Sequence, residues 1–254
     1  MLAEAAALLR KASRERLAIE PLTSQYPSLT ETDAWQIQSI NRDLAIREGR
    51  SLTGFKVGLT SAAMQEQMGV GEPDFGILLT DMAIPDGGVL RLADFVQPRV
   101  EAEVALVLGT DLGRGCTAAD VSAATAAVVP ALEIIDSRIR DWQLTLADTV
   151  ADNASSGAYV LGNPTGPDGL DLPAVEVIVE VNGSEQARGL GSAALGGPLA
   201  AAAWLAGRLG DLGETLRAGS VILTGSLHAS LPLQPGDDIR ADFGALGAVR
   251  LRVS

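Results

Sequence analysis

The sequence predicts an α+β protein in which an N-terminal helical region precedes a mixed β domain. Two observations indicate this class. Apolar residues recur at helical spacing over the first 50 residues, whereas from Leu52 the chain breaks into short β-rich runs separated by glycine and proline. With 254 residues, 47% of them hydrophobic, the chain can bury a substantial core. We place the helical region within residues 1–75 and the mixed β domain at residues 76–254.

Two helices are predicted before the β domain. Residues 2–18 carry leucine and alanine at amphipathic spacing among charged residues. Thr30, with Asp33 three residues later, forms a capping-box pattern, and Gly49 supplies a stop. The second helix is therefore expected between Thr30 and Gly49.

The strands are predicted from runs rich in β-branched and apolar residues. Asn182-Gly183 is a turn pair that closes one of these runs. The predicted runs are Gly54–Leu59, Gly76–Leu79, Val100–Leu108, Val128–Ile135, Tyr159–Leu161, Val175–Val181, Ser220–Thr224 and Ala248–Val253.

Two further helices interrupt the predicted strands. Thr117, with Asp120 three residues later, caps a helix expected to run toward Ala127. Pro198 is suited to the first position of a helix that continues to about Leu209.

Composition and charge exclude several classes of function. A net charge of -13 argues against nucleic-acid or anionic-membrane binding, since both require a basic surface. No run of about 18 uninterrupted apolar residues occurs, and Met1-Leu2-Ala3-Glu4 lacks the basic segment of a signal peptide. We therefore expect a cytoplasmic protein. Cys116 is the single cysteine, so it forms no internal disulfide.

The most informative feature is a pair of glutamates, Glu101 and Glu103, within the apolar run 100–108. Residues two apart on a strand share a face, so both carboxylates are expected on one side. Adjacent anions are unfavourable unless water or a cation screens them, and hard divalent cations prefer oxygen ligands. Glu133, in the apolar run 128–136, supplies a third carboxylate, and three suffice to anchor Mg²⁺ or Mn²⁺. Taken alone, a Glu-x-Glu pair more often marks a solvated face.

Lysine and histidine are both scarce. Lys11 and Lys56 are the only lysines among 19 basic residues, so a retained lysine indicates a compact charge or a proton-transfer group, unless it is a chance surface residue. His228 is the only histidine, and nothing near it resembles a nucleophile elbow. A Ser-His-Asp relay is therefore not expected.

Five groups of motifs follow one another along the chain. They are GFKVGLT at 54–60, PDFG at 73–76, QPRVEAE at 97–103, ALE at 131–133 with SRIRDW at 137–142, and DTVADNASS at 148–156. Together they resemble the 2-keto-4-pentenoate hydratases, also called 2-hydroxypenta-2,4-dienoate hydratases, of the fumarylacetoacetate hydrolase superfamily. The resemblance covers nearly the whole chain.

The resemblance implies a mixed β-roll or sandwich of the fumarylacetoacetate hydrolase type with an N-terminal helical region. Residues 1–75 would include the first active-site loop, and residues 76–254 would form the catalytic domain. The implied activity is metal-dependent hydration of a small 2-keto or 2-enol carboxylate in aromatic catabolism. A homo-oligomer and an association with a decarboxylase are also implied.

The resemblance assigns roles to five residues that carry charge. By match, Glu101, Glu103 and Glu133 are the metal ligands. Lys56 is the candidate for sharing the substrate's C2 oxygen or moving its proton, with a pKa expected to be lowered by the nearby metal. Asp74 is the candidate for orienting or deprotonating water, although an aspartate after a proline is also a common turn residue.

Smaller residues complete the predicted site. Ser156 is favoured over Ser155 as a catalytic hydroxyl, and either could bind the substrate carboxylate; a capped turn is the alternative interpretation. Thr224, Gly225 and Ser226 resemble a substrate-lining segment of the family.

Asp136 and Arg138 are candidates for orienting Glu133, and a surface ion pair between them is the alternative.

Other functions remain to be weighed. A 4-oxalocrotonate decarboxylase of the same superfamily begins from the same kind of metal-chelated acid but needs no group that activates water, so Asp74 favours the hydratase. A non-catalytic partner subunit has no physical need for Lys56, Asp74 and three glutamates. A carbon-carbon hydrolase typically uses a His-Glu pair, which the position of His228 disfavours.

Overall fold

We describe the protein from a computed structural model that covers residues 1–60, 65 and 72–254. Six α-helices occur in this part of the chain, and none of them has both the length and the apolar character that a bilayer span requires. They are α1 (Leu2–Glu15), α2 (Leu22–Gln25), α3 (Glu31–Arg47), α4 (Ala118–Ala124), α5 (Leu146–Ala151) and α6 (Pro198–Asp211).

Thirteen strands are present in the same residues. They are β1 (Leu52–Gly58), β2 (Asp74–Leu79), β3 (Ala83–Ile84), β4 (Val89–Leu90), β5 (Arg99–Leu108), β6 (Thr125–Ile135), β7 (Ser156–Leu161), β8 (Glu176–Val181), β9 (Ser184–Leu190), β10 (Val221–Ser226), β11 (Leu231–Pro232), β12 (Asp238–Asp242) and β13 (Ala248–Val253).

The strands form two mixed sheets, which confirms the predicted α+β class. The eight-stranded sheet has the order β2-β1-β10-β5-β6-β7-β3, with β11 paired to β5. The five-stranded sheet has the order β4-β13-β12-β8-β9. Pairs β1/β10, β3/β7 and β4/β13 are parallel, and the others are antiparallel.

Local sequence signals explain most helix boundaries. The Thr30 side chain caps α3 through a reciprocal bond with Asp33, as the capping-box pattern predicts. Asn182 and Gly183 both have positive φ, as a tight hairpin turn between β8 and β9 requires. Pro198 occupies the first position of α6.

One predicted helix is shorter than expected. The helix capped by Thr117 ends at Ala124, and β6 begins at Thr125 rather than at Val128. The first residues of β6 pair with the end of β5, including Val107 with Ala127, and these ladder bonds outweigh the helical preference of the alanines.

Strand register places the charged residues on one face of the larger sheet. Glu101 lies opposite Glu133, and Lys56 shares its row with Leu223 and Ala105. Because directly paired residues and residues two apart point to the same face, Lys56 and the three glutamates share a face. Asp74 pairs with Gly58, two residues after Lys56, and therefore joins them.

The two faces of this sheet differ in character. The charged face continues into a small apolar cluster made of Leu78, Ala105, Val129, Ala131, Tyr159, Val221 and Leu223. The opposite face belongs to the main core, which also includes residues of the helices and of the five-stranded sheet. The predicted division at residue 75 stays a prediction, and that point lies within β2.

Candidate metal centre and active site

Three carboxylates converge at the centre of the large sheet. One oxygen from each of Glu101, Glu103 and Glu133 lies within 4.8 Å of the others, which makes this trio a candidate metal site among the described residues. Glu103 and Glu133 are fully buried, and Glu101 is partly exposed. The amide of Gly225 donates to Glu103 Oε2 at 2.7 Å.

Several oxygens of the trio have no partner. Glu103 Oε1 and both Glu133 oxygens are buried without a hydrogen bond from any described residue. Burial and the charge of Glu133 raise the pKa of Glu101 to about 7 and the pKa of Glu103 well above its usual value. Burial also raises the pKa of Glu133. Unpaired buried carboxylate oxygens in this arrangement fit a hard divalent cation, which would screen their mutual repulsion.

Lys56 is buried beside the trio. Its Nζ donates to the carbonyl of Ala154 at 2.9 Å and lies 3.3 Å from Glu133 Oε1, close enough for an ion pair but not in hydrogen-bonding geometry. Burial alone lowers the lysine pKa, but Glu133 and Asp74 outweigh it and raise the pKa above its ordinary value. The lowered pKa expected from the sequence depends on a bound metal ion and stays a prediction.

Asp74 is buried on the same face at the start of β2. The hydroxyl of Thr149 donates to Asp74 Oδ2 at 2.9 Å. Burial raises the pKa of Asp74, although the charge of Lys56 and the Thr149 hydrogen bond oppose the shift. Asp74 is thus a buried carboxylate at the start of a strand, rather than the turn residue of the alternative interpretation.

A left-handed turn joins α5 to β7. Asn153, Ala154 and Ser155 have φ values of 57°, 48° and 56° in succession, a conformation that costs residues with a Cβ about 1–2 kcal/mol each. The Asn153 amide offsets this cost by bonding both the N–H and the carbonyl of Ile77 on β2, at 2.8 and 3.0 Å. This turn aims the Ala154 carbonyl at Lys56.

The two predicted serines follow in this segment. The hydroxyls of Ser155 and Ser156 are both buried and lack a partner among the residues described. Ser156 also lines a cavity of about 280 Å³ with residues of α1 and α3, including Leu9 and Gln38. Which serine contacts substrate stays a prediction.

The segment Thr224–Ser226 uses its hydroxyls within the protein. Thr224 donates to the carbonyl of Val104 at 2.7 Å, and Ser226 donates to the carbonyl of His228 at 2.6 Å. The predicted contact of these residues with substrate stays untested. Within this segment the Gly225 amide donates a hydrogen bond to the Glu103 carboxylate, a role that the residue pattern did not indicate.

His228 supports the strand that carries two of the glutamates. Its Nε2 accepts a hydrogen bond from the amide of Ala102 at 2.9 Å, and its Nδ1 lies 2.7 Å from the carbonyl of Ala229. These contacts require a neutral ring with the proton on Nδ1. Burial lowers the pKa of His228, in agreement with that state. Sequence reasoning excluded a catalytic relay but missed this role.

Asp136 and Arg138 neither orient Glu133 nor form a surface ion pair, so both predictions for them are wrong. Asp136 accepts from the amides of Val96 and Gln97, so it does not orient Glu133. Arg138 is buried and pairs with Asp152, with Nε 2.5 Å from Oδ1.

Arg138 also joins the segments on either side of this pair. Its guanidinium donates to the carbonyls of Asp136, Asp152 and Ser156. Burial raises the pKa of Asp152 to about 6, against the opposing effect of Arg138. The pair therefore fixes the chain just before and just after the left-handed turn.

Comparison with known proteins places this site in a family. Residues 55–254 match the family model described as "Fumarylacetoacetate (FAA) hydrolase C-terminal". The chain therefore belongs to the fumarylacetoacetate hydrolase family, and the predicted fold type is confirmed.

The relatives also confirm the resemblance to the 2-keto-4-pentenoate hydratases. The 2-keto-4-pentenoate hydratase of Paraburkholderia phymatum is 47% identical, with 98% of this chain and 96% of the relative covered. That of Paraburkholderia xenovorans is 46% identical, with 97% and 93% covered. Among solved structures, 4-oxalocrotonate decarboxylase from Pseudomonas putida G7, complexed with magnesium and adipate, has a TM-score of 0.97 and 36% identity, with 100% of this chain and 97% of that chain covered.

We expect Arg138→Met to lower the free energy of unfolding by about 3–5 kcal/mol, because Asp152 would remain as a buried charge without its partner. Urea denaturation followed by circular dichroism measures the loss. Arg188→Met is the matched control: Arg188 pairs with Glu176 and Glu185 on the exposed surface, and its loss should change stability little. Equal losses in the two variants would contradict the role given to the buried pair.

Proposed function

We propose that this protein is a hydro-lyase that converts 2-hydroxypenta-2,4-dienoate (2-keto-4-pentenoate) to 4-hydroxy-2-oxopentanoate in aromatic catabolism. One observation carries the proposal: three clustered glutamate carboxylates, one lysine and one aspartate share a single face of the sheet. The identity to 2-keto-4-pentenoate hydratases over nearly the full length supports the same activity.

Glu101, Glu103 and Glu133 would hold Mg²⁺ or Mn²⁺ through the oxygens that have no other partner among the described residues. When bound, the divalent ion supplies Lewis acidity that stabilises negative charge on the C2 oxygen of a 2-keto or 2-enol carboxylate. The Gly225 amide holds Glu103 in place for this task. Ser155 and Ser156 are the candidates for binding the substrate carboxylate.

Lys56 would act in the first step, which converts the dienol to a ketone. In this step the C2 hydroxyl loses its proton and C5 gains one, so that C4 of the resulting unsaturated ketone becomes electrophilic. The carboxylates around Lys56 raise its pKa, which favours the ammonium form, and Lys56 would donate a hydrogen bond to the C2 oxygen. The Ala154 carbonyl fixes the direction of the ammonium group.

Asp74 would act in the second step, in which water adds to C4. The hydroxyl oxygen bonds to C4, the water gives up a proton to Asp74, and C3 gains a proton to complete the product. Burial raises the pKa of Asp74, which moves the carboxylate toward the range in which a general base works well.

Decarboxylation is the second candidate because the chain superposes closely on a decarboxylase. That reaction releases CO₂ and leaves a dienolate, so it needs no base for water. A buried Asp74 on the reactive face favours hydration.

A homo-oligomer, an association with a decarboxylase and a cytoplasmic location stay predictions.

The decisive experiment follows the ultraviolet absorbance of 2-hydroxypenta-2,4-dienoate with Mg²⁺ or Mn²⁺, with and without a chelator, while CO₂ is measured. Loss of absorbance with formation of the hydroxyketone and no CO₂ supports the hydratase. Release of CO₂ from 4-oxalocrotonate would support the decarboxylase instead. Activity toward neither substrate would favour a non-catalytic subunit. The two metals compared at equal concentration identify the preferred ion.

We expect Glu103→Gln to weaken Mn²⁺ binding by at least about 10–100-fold and to abolish turnover. Mutation of a residue that only hydrogen-bonds a metal ligand already lowers metal affinity by that factor. The fold should persist, because the glutamine oxygen still accepts from Gly225. Calorimetry measures the binding, and circular dichroism checks the fold. Glu176→Gln, on the exposed side of β8, is the control. A fully active Glu103→Gln protein would refute the metal assignment.

We expect Asp74→Asn to slow hydration by about 10²–10⁴-fold, the usual contribution of general-base catalysis, with a much smaller effect on ketonisation at C5. Proton NMR in deuterated water separates the two steps, because ketonisation places deuterium on C5 before any hydroxyketone forms. Asp81→Asn is the control at an exposed aspartate. Equal loss of both steps would argue against a role confined to water.

A further inference from the structure

We infer that Thr149 is a positioning residue for water addition: its hydroxyl binds one oxygen of Asp74 and leaves the other oxygen turned toward Lys56. The inference rests on the proposed function of Asp74 and adds a role for Thr149, which lies in the motif at 148–156 but has no part in the predicted site. Thr149 is buried, and its Oγ1 donates to Asp74 Oδ2 at 2.9 Å. No other side chain of the described residues forms a hydrogen bond with Asp74.

The position of Gly58 shows where the second oxygen lies. A Cβ built on Gly58 would sit 2.2 Å from Asp74 Oδ1 and 3.2 Å from Lys56 Nζ. Oδ1 therefore occupies the space that a side chain at position 58 would fill. Lys56 Nζ borders the same space. The two oxygens of Asp74 differ: Oδ2 accepts from a hydroxyl, and Oδ1 lies beside Gly58, next to the space that Lys56 Nζ also borders.

Thr149 is itself held by the helix that carries it. Helix α5 begins with a capping box between Thr145 and Asp148. Asp148 also accepts from the amide and the hydroxyl of Thr23, at 3.0 and 2.7 Å. Because both oxygens of Asp148 have partners, the first turn of α5 is fixed to the N-terminal helices.

A second contact ties α5 to the strand that begins with Asp74. The side-chain amide of Gln38 donates to the carbonyls of Phe75 and Val150, at 2.9 and 3.1 Å. These are the residues directly after Asp74 and directly after Thr149. The hydroxyl and its carboxylate partner are therefore held at a fixed separation by a buried bridge from α3.

This arrangement matters for water addition more than for ketonisation. A base must meet its proton within hydrogen-bond distance and along the correct direction, and displacement of a reacting group by about 1 Å can cost about 100-fold in rate. Without the Thr149 hydroxyl, Asp74 could rotate and bring both oxygens toward Lys56. Ketonisation, which we assign to Lys56 and the metal site, does not require that orientation.

The test compares Thr149→Val, which keeps the shape but removes the hydroxyl, with Thr149→Ser, which keeps the hydroxyl. We expect the valine variant to lose about 10-fold or more in kcat for hydration, which is less than the roughly 10²–10⁴-fold that the base itself contributes, with KM and the rate of C5 deuteration changed less than twofold. The serine variant should restore most of the hydration rate. Thermal melting confirms that both variants fold.

Three results would overturn the inference: hydration by Thr149→Val at the wild-type rate, equal loss of both steps, or a serine variant as impaired as the valine variant. Gly58→Ala tests the same geometry if the valine variant does not fold, because its methyl group would displace Oδ1. It should slow hydration selectively, and unchanged hydration would also overturn the inference. Wild-type protein that fails to hydrate the dienoate would instead refute the proposed function itself.

Discussion

The repulsion among three clustered carboxylates, two of them fully buried, is the constraint on which the rest of the site depends. Two unit charges about 5 Å apart repel by about 3 kcal/mol at an effective dielectric constant of about 20, and the trio contains three such pairs. Lys56 and the Gly225 amide offset part of this repulsion. The carboxylate oxygens that have no partner among the described residues could bind a cation, which would offset the rest. The fold keeps the trio together because Glu101 and Glu133 are locked in register near the centre of the large sheet.

Neighbouring hydrogen bonds orient the groups around the trio and offset the conformational cost of the left-handed turn. Three successive left-handed residues are unfavourable, yet they direct the Ala154 carbonyl to Lys56. The bonds from Asn153 to β2, together with the buried pair of Arg138 and Asp152, hold this turn in place. Strain at one segment is thus balanced by hydrogen bonds on both sides, an arrangement common at functional sites.

The sequence could predict residues whose positions follow from local periodicity. Glu101 and Glu103 share a face because they are two apart on a strand, and capping residues gave the start of α3. Pairing of Glu133 opposite Glu101 is set by the register of two strands, which the spacing does not contain. The contacts of Thr149 with Asp74 and of His228 with Ala102 join residues 75 and 126 positions apart, so only the folded chain brings them together. Arg138 was misassigned for the same reason.

Hydration and decarboxylation of these acids share their most demanding requirement, which is stabilisation of negative charge at the C2 oxygen. A scaffold that holds three carboxylates and a lysine on one face can meet that requirement for either reaction, and the close superposition on a decarboxylase is what this reasoning expects. The two reactions then differ in one requirement: hydration needs a base oriented to accept a proton from water. Under the proposed mechanism that direction would depend on the hydroxyl of Thr149 and the absence of a side chain at Gly58, so a few atoms beside the sheet would decide the reaction.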